Sequence, residues 1–404
     1  MPAFPTYDAS RIAALEKQAA AMLGVFAGHD YIRREPSVLQ PAQIFLDRSG
    51  EEIRRRTFTL DDPAGRELVL RPDLTIPVCK SWLDTRGKFP ARLCYHGLAF
   101  RHQPAEPDRP TQFWQAGIEL LGLDDAKKAD AEALAVTVEA VRAAGLDSFD
   151  MKLGDLSLFS AFVDALDIPL AWRGRLKRHF WRSGYFEALL TRLSGDAPSG
   201  AQRLLAHLGT LPEKDARPAF EGLMDMLGAS SQGGRTREEI VDRLIEQAAD
   251  AASLRLDPWI AKALAGLLSI SGPARQAVEK IRKLTKSAGV SLDAPLKAMS
   301  ARLDMLDRLG VDARRVSFAA RFGRNMEYYT GFVFELWARD AEGPVQVAGG
   351  GRYDTLMEQL GAKKHIPAIG CAIRTERVLA AKECDPAKWT PVRARSPDQK
   401  KGAR

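Results

Sequence analysis

The chain of 404 residues carries 59 lysines and arginines against 52 aspartates and glutamates, a formal charge of +7, and six of those bases lie with one acid in the last 18 residues. The body before them is close to neutral, which excludes a surface built to coat nucleic acid, and 45% hydrophobic with 27% charged residues is the balance of a folded chain of about two or three domains. Four scattered cysteines, six histidines without metal-ligand spacing and no apolar run of spanning length exclude a disulfide scaffold, a zinc site and a membrane segment.

The N-terminus has neither a charged nor an apolar leader region, so the expected compartment is the cytoplasm. Residues 10–28 read as a helix, with Ile12, Leu15, Ala19, Leu23 and Phe26 at helical spacing and Ser10 as its cap. Residues 56–60 and 67–70 read as short strands around the turn at 61–65. Two longer strands, 92–102 and 112–122, flank a loop with prolines at 104, 107 and 110. With no helix between them they are expected to pair antiparallel. An Ala-rich helix covers 126–144.

From about 170 to 310 the pattern is helical, with one flexible link expected at 228–235. Strand patterns return at 315–319, 331–338 and 343–348, followed by Gly349-Gly-Gly-Arg-Tyr-Asp354, an amphipathic helix, a strand at 366–372 and a helix from 373. Strands at both ends with helices between predict an α+β fold, an antiparallel sheet flanked by helices and interrupted by a helical insertion. Residues 1–165 and 310–385 would form the core, 170–310 the insertion, and 386–404 a basic disordered tail.

Four segments are candidates for chemistry. In Leu70-Arg-Pro-Asp-Leu-Thr75, Asp73 and Thr75 suit either a helix cap or a carboxylate that pairs with a substrate ammonium. Arg101, Gln115, Gly117 and Glu119 can share one face of two neighbouring strands, a face that looks to water or binds something polar. Tyr328 and Tyr329 fit sheet-edge packing or the wall of a pocket for a flat polar ring. The three glycines at 349–351 lack the residues of a phosphate loop and suit a bend or a close backbone approach instead.

Taken in order, these segments resemble the catalytic core of class II histidyl-tRNA synthetases. Arg71-Pro-Asp-Leu-Thr75 is similar to that family's RPEGT. Phe100-Arg-His102 with Gln112-Phe-Trp-Gln115 resembles motif 2, FRHE…QFHQ. Arg324-Asn-Met-Glu-Tyr-Tyr-Thr-Gly331 resembles RGLDYYTG. Gly349–Asp354 and Gly370-Cys-Ala-Ile-Arg-Thr-Glu-Arg377 resemble GGRYD and motif 3, GFAMGLER, and Pro36 fits the proline of motif 1. The resemblance implies a histidine pocket made of Asp73, Thr75, Arg101, Gln115, Glu119, Arg324, Tyr328 and Tyr329. The arginines would face the carboxylate or phosphate side, and Gln115, Glu119 and the tyrosines the amino group and imidazole.

The sequence departs from a working synthetase in four places. Gln103 replaces the acid after Arg-His, Thr111 the arginine before Gln-Phe, and Arg374 a glycine that leaves room for adenine. Only 27 residues follow Arg377, too few for an anticodon-binding domain. This combination resembles the regulatory subunits of ATP phosphoribosyltransferase, which work with a short-form catalytic subunit in the first step of histidine biosynthesis. The resemblance implies no catalysis by the chain alone, no cofactor, no nucleic acid, self-association into dimers, a hetero-octamer with the catalytic subunit, and histidine as effector. The alternative is an active histidyl-tRNA synthetase-like or other adenylate-forming enzyme.

Overall fold

The computed structural model describes residues 6–46, 56–102, 110–168, 170–180, 186, 190, 204, 207–226, 237–252, 257–322 and 328–384. The expected link at 228–235, the basic tail 386–404, Gln103 with most of its loop, and Arg324 lie outside the described residues. The chain divides into two compact units, residues 1–181 with 266–404, and residues 182–265.

The larger unit begins with α1 (Ala9–Gly28), β1 (Ile32–Arg33), β2 (Leu39–Pro41), α2 (Gln43–Leu46), β3 (Phe58–Asp61), β4 (Glu67–Leu70), α3 (Thr75–Asp84), β5 (Ala91–Phe100), β6 (Gln112–Leu121), α4 (Ala126–Ala143), β7 (Asp150–Asp155), α5 (Leu156–Ala165) and α6 (Leu170–His179). The smaller unit contains α7 (Glu213–Met226) and α8 (Arg237–Ala252), packed through Phe220, Met224, Val241 and Ala248. Next come α9 (Pro258–Ser269), β8 (Ser271–Pro273), α10 (Ala274–Ser287), α11 (Asp293–Arg308), β9 (Val316–Ala319), β10 (Phe332–Asp340), β11 (Gly343–Arg352), α12 (Leu356–Gln359), β12 (Ala368–Arg374) and α13 (Thr375–Lys382). The compact smaller unit is narrower than the 170–310 block read from sequence. Helices α10 and α11 return to the larger unit, where Ala277, Ile281, Leu296, Met299 and Leu303 are buried. No helix among the described residues is long and apolar enough to cross a membrane.

Nine strands form the main sheet in the order β1-β5-β6-β12-β11-β10-β7-β9-β8, and β2-β4-β3 form a small second one. Pairing is antiparallel except at β1/β5 and β7/β9. The Pro-rich loop joins β5 and β6 as an antiparallel pair, in register from Ala91–Leu121 to Phe100–Gln112. The glycines at 349–351 do not bend the chain. They are the end of β11, opposite β12, because a Cβ on Gly350 would lie 2.3 Å from the Gly370 carbonyl and one on Gly351 2.7 Å from Val333.

Two further local details differ from the sequence reading. Helix α1 is capped by Asp8, whose Oδ1 accepts from the Arg11 amide at 2.8 Å, while Ser10 lies in the first turn and donates to the same oxygen. The amphipathic helix expected after Asp354 is four residues long.

A buried charge cluster braces the sheet. Arg302 on α11 donates to Asp130 Oδ2 at 2.9 and 2.5 Å and to Asp155 Oδ2 at 2.9 Å. Arg352 at the end of β11 donates to Asp130 Oδ1 at 2.9 and 2.6 Å and to Asp354 at 2.9 Å. Two arginines share one fully buried aspartate, so each carboxylate oxygen is neutralised. The cluster fixes the backbone on both sides of Tyr353, as Asp354 also accepts from the Ala368 amide at 3.0 Å.

Candidate ligand pocket

The strand register decides which side chains meet. Gln115, Gly117 and Glu119 alternate along one face of β6. Gln115 lies opposite Gly97 and Arg374, Gly117 opposite Tyr95 and Ala372, and Glu119 opposite Leu93 and Gly370. Glycine is required at this face. A Cβ on Gly370 would stand 1.8 Å from Glu119 Oε2, and one on Gly117 2.4 Å from the Tyr95 hydroxyl.

Asp73 and Thr75 are brought over the same face by the segment from β4 into α3. The N-cap of α3 is Leu74, not Asp73 or Thr75, but Asp73 Oδ1 still accepts from the Ile76 amide of the first turn at 3.2 Å. Its Oδ2 is buried and accepts no hydrogen bond from a described residue. Glu119 is wholly buried, and its Oε2 accepts the hydroxyl of Tyr353. Glu119 Oε1, like Asp73 Oδ2, is buried without a partner in hydrogen-bond geometry among the described residues. Two carboxylate oxygens left open in one buried cluster are costly to fold unless a donor arrives to meet them.

Electrostatics agree with that reading. Burial raises the Asp73 carboxyl, and the Arg101 guanidinium and the Ile76 amide oppose it. Burial pushes Glu119 up to about 8, with Tyr353 and Thr75 pulling it down and the charge of Asp73 adding to the rise. Arg101 donates from Nε to the Pro72 carbonyl at 2.6 Å, which orients its guanidinium beside Asp73. Gln115 donates to the Tyr95 hydroxyl at 3.3 Å, and Tyr95 donates to the Cys371 carbonyl at 3.2 Å.

Tyr328 and Tyr329 pack with their rings tilted by 55° at 4.9 Å between centroids, and Tyr328 meets Tyr353 edge-on at 5.7 Å. The structure therefore brings Asp73, Thr75, Gln115 and Glu119 together over one face of β5 and β6, with Arg101 beside Asp73 and with Tyr328 and Tyr329 reaching them through Tyr353. Two residues of this cluster escaped the sequence reading. Tyr353 was present in the Gly-Gly-Arg-Tyr-Asp segment but hidden behind its glycines, and Tyr95 becomes visible only once the β5–β6 register puts it opposite Gly117.

Beside the pocket, the Arg374 guanidinium lies 3.1 Å from the centroid of the Phe113 ring, with Arg101 5.5 Å from the same centroid. Glu376 accepts the Trp114 amide at 2.6 Å and Arg377 donates to the Gln346 carbonyl at 3.0 Å, so both are engaged by backbone. Among the described residues no group of three or more His, Cys, Asp or Glu side chains is placed to hold a metal ion.

A large, mainly antiparallel sheet flanked by helices is the fold class of the class II synthetase core. The family described as histidyl-tRNA synthetase matches the chain at residues 6–258 and 218–378. A crystal structure described as an ATP phosphoribosyltransferase regulatory subunit/histidyl-tRNA synthetase from Bacillus halodurans shares the fold, with a TM-score of 0.64 and 22% identity over 95% of this chain and 83% of that one. The chain has a histidyl-tRNA synthetase-like fold. Nearer in sequence, the ATP phosphoribosyltransferase regulatory subunit of Chelativorans sp. is 35% identical over 90% of this chain and 97% of its own. That of Mesorhizobium japonicum is 37% identical over 91% and 98%. The chain belongs to the family of ATP phosphoribosyltransferase regulatory subunits.

Proposed function

We propose that the chain is the non-catalytic regulatory subunit that a short-form ATP phosphoribosyltransferase catalytic subunit requires for the first step of histidine biosynthesis, and that histidine binds in the pocket described above as feedback effector. The observation that carries the ligand reading is the pair of open carboxylate oxygens, Asp73 Oδ2 and Glu119 Oε1, in a buried polar cluster. A zwitterion with an ammonium and a second N–H donor answers both. Arg101 and Arg324 would take the ligand carboxylate, Thr75 and Gln115 would fix its position, and Tyr328 and Tyr329 would wall the ring.

The chain acts as a dimer within a hetero-octamer. Support for self-association comes from exposed apolar side chains on and beside the outermost strands, Ile32, Val38 and Leu39. Its compartment is the cytoplasm.

The protein's mass in solution, alone and mixed with the short-form catalytic subunit, tests the assembly. A dimer that shifts to an octamer supports it, and two species that never join would refute it.

A further inference from the structure

We propose that the pocket exchanges a proton for its ligand: Glu119 holds a proton when the site is empty and releases it to solvent when a cationic amino group meets Glu119 and Asp73 together. The inference rests on the reading of this pocket as the histidine site and extends it to how the ligand is paid for in charge.

The geometry is specific. Two acids share one buried cluster, and each has one oxygen bonded within the protein. Asp73 Oδ1 takes the Ile76 amide, Glu119 Oε2 takes the Tyr353 hydroxyl, and the remaining two oxygens are buried and open. Among the described residues the groups facing Glu119 come from three elements. Asp73, Thr75 and Cys79 approach from the α3 side, Tyr95 from β5 and Tyr353 from the end of β11. Across β12 the facing residue is Gly370, which has no side chain to offer. Of these neighbours Asp73 is an acid and the others are neutral hydroxyls and a thiol. Burial raises the Asp73 carboxyl as well, and the Arg101 guanidinium opposes that rise. Two ionised carboxylates in one buried cluster repel each other, and among the described residues the arginine that acts on the pair, Arg101, favours the anion at Asp73, which leaves the proton to Glu119.

Burial pushes Glu119 up to about 8, and it raises Asp73 too, where Arg101 and the Ile76 amide oppose it. An ammonium placed at the two open oxygens replaces the proton as the neutralising charge. Glu119 ionises and one proton passes to solvent, so the ammonium stands beside Glu119 where the proton was, while the ligand carboxylate is met by arginine. The consequence is that ligand affinity rises with pH up to about 8, since below that value the ligand must displace a proton.

Infrared difference spectroscopy of the full-length protein with and without histidine reads the exchange directly. The expected result is loss of a protonated-carboxyl band and gain of a carboxylate band on histidine addition, with neither change in Glu119→Gln. Histidine that binds in the pocket, as judged by weakened affinity in Glu119→Gln, without altering the carboxyl band would overturn the exchange and leave the site assignment standing. Histidine affinity unchanged in Glu119→Gln would overturn both. A ligand-free measurement keeps the proton itself in view. A carboxyl held neutral in the folded state and ionised in the unfolded state lowers stability as pH rises from about 4.5 towards 8. The wild-type denaturation midpoint should fall relative to Glu119→Gln across that window; parallel curves would show that Glu119 carries no extra proton.

Discussion

Arg374 and Phe113 lie on neighbouring strands, and the arginine guanidinium sits 3.1 Å from the centre of the phenylalanine ring. A planar cation on an aromatic face is a favourable contact that excludes another flat group from the same face. At this place the resembling synthetases carry a glycine that leaves room for adenine. The purified chain is therefore expected to give no histidine-dependent ATP–pyrophosphate exchange. Turnover above a no-enzyme control would refute the assignment of Arg374 as the residue that occupies this space.

Glu119→Ala should weaken histidine binding far more than Gln103→Ala. A charge-assisted hydrogen bond is worth roughly 1.5–3 kcal/mol, which is about ten- to more than a hundredfold in Kd. Calorimetric titration of each variant, paired with a melting curve, separates lost contact from lost fold. Unchanged affinity in a folded Glu119→Ala protein would move the histidine site elsewhere.

The buried cluster around Asp130 predicts a stability effect away from the pocket. Asp130 is wholly buried and bonds both Arg302 and Arg352. Asp130→Ala leaves two buried cations without their partner, and the cost of breaking such a group is about 3–5 kcal/mol. Urea unfolding should show a loss in that range, whereas Asp84→Ala, on an exposed surface pair, should stay within about 1 kcal/mol of wild type.

How much of this was readable beforehand differs from element to element. Strands β5, β6, β10 and helices α1 and α4 carry strong patterns and lie within a few residues of their expected bounds. Strand β7, Asp-Met-Lys-Leu-Gly-Asp, has no β-branched residue and gave no signal, yet it lies inside the sheet between β10 and β9. Tertiary pairing, not local preference, makes it a strand. The same holds for Tyr95 and Tyr353, because cross-strand register places them and periodicity along one strand does not contain it. The acids, by contrast, were legible: Glu119 as a charge on a sheet face where a core would be apolar, and Asp73 as a carboxylate at a strand end that suits a cap or an ammonium.

His96 gives a pH prediction of the opposite sign to Glu119. Its ring stacks on Trp114 at 4.9 Å, and burial, with Arg33 nearby, lowers it to about 4. The unfolded imidazole takes up its proton near 6.5, so the unfolded state binds more protons between pH 6.5 and 4. Stability contributed by the neutral ring is complete above pH 6.5 and is lost as pH falls through that window. In His96→Phe the denaturation midpoint should decline less steeply between those values; the same slope as wild type would show that His96 does not take part.

The most direct measurement is phosphoribosyl transfer to ATP by the short-form catalytic subunit, assayed with and without this chain and then with histidine added. The account predicts that the catalytic subunit gains activity when this chain is present, and that histidine inhibits the mixture but loses that effect when the chain carries Glu119→Ala. A catalytic rate unaffected by the chain would contradict the account.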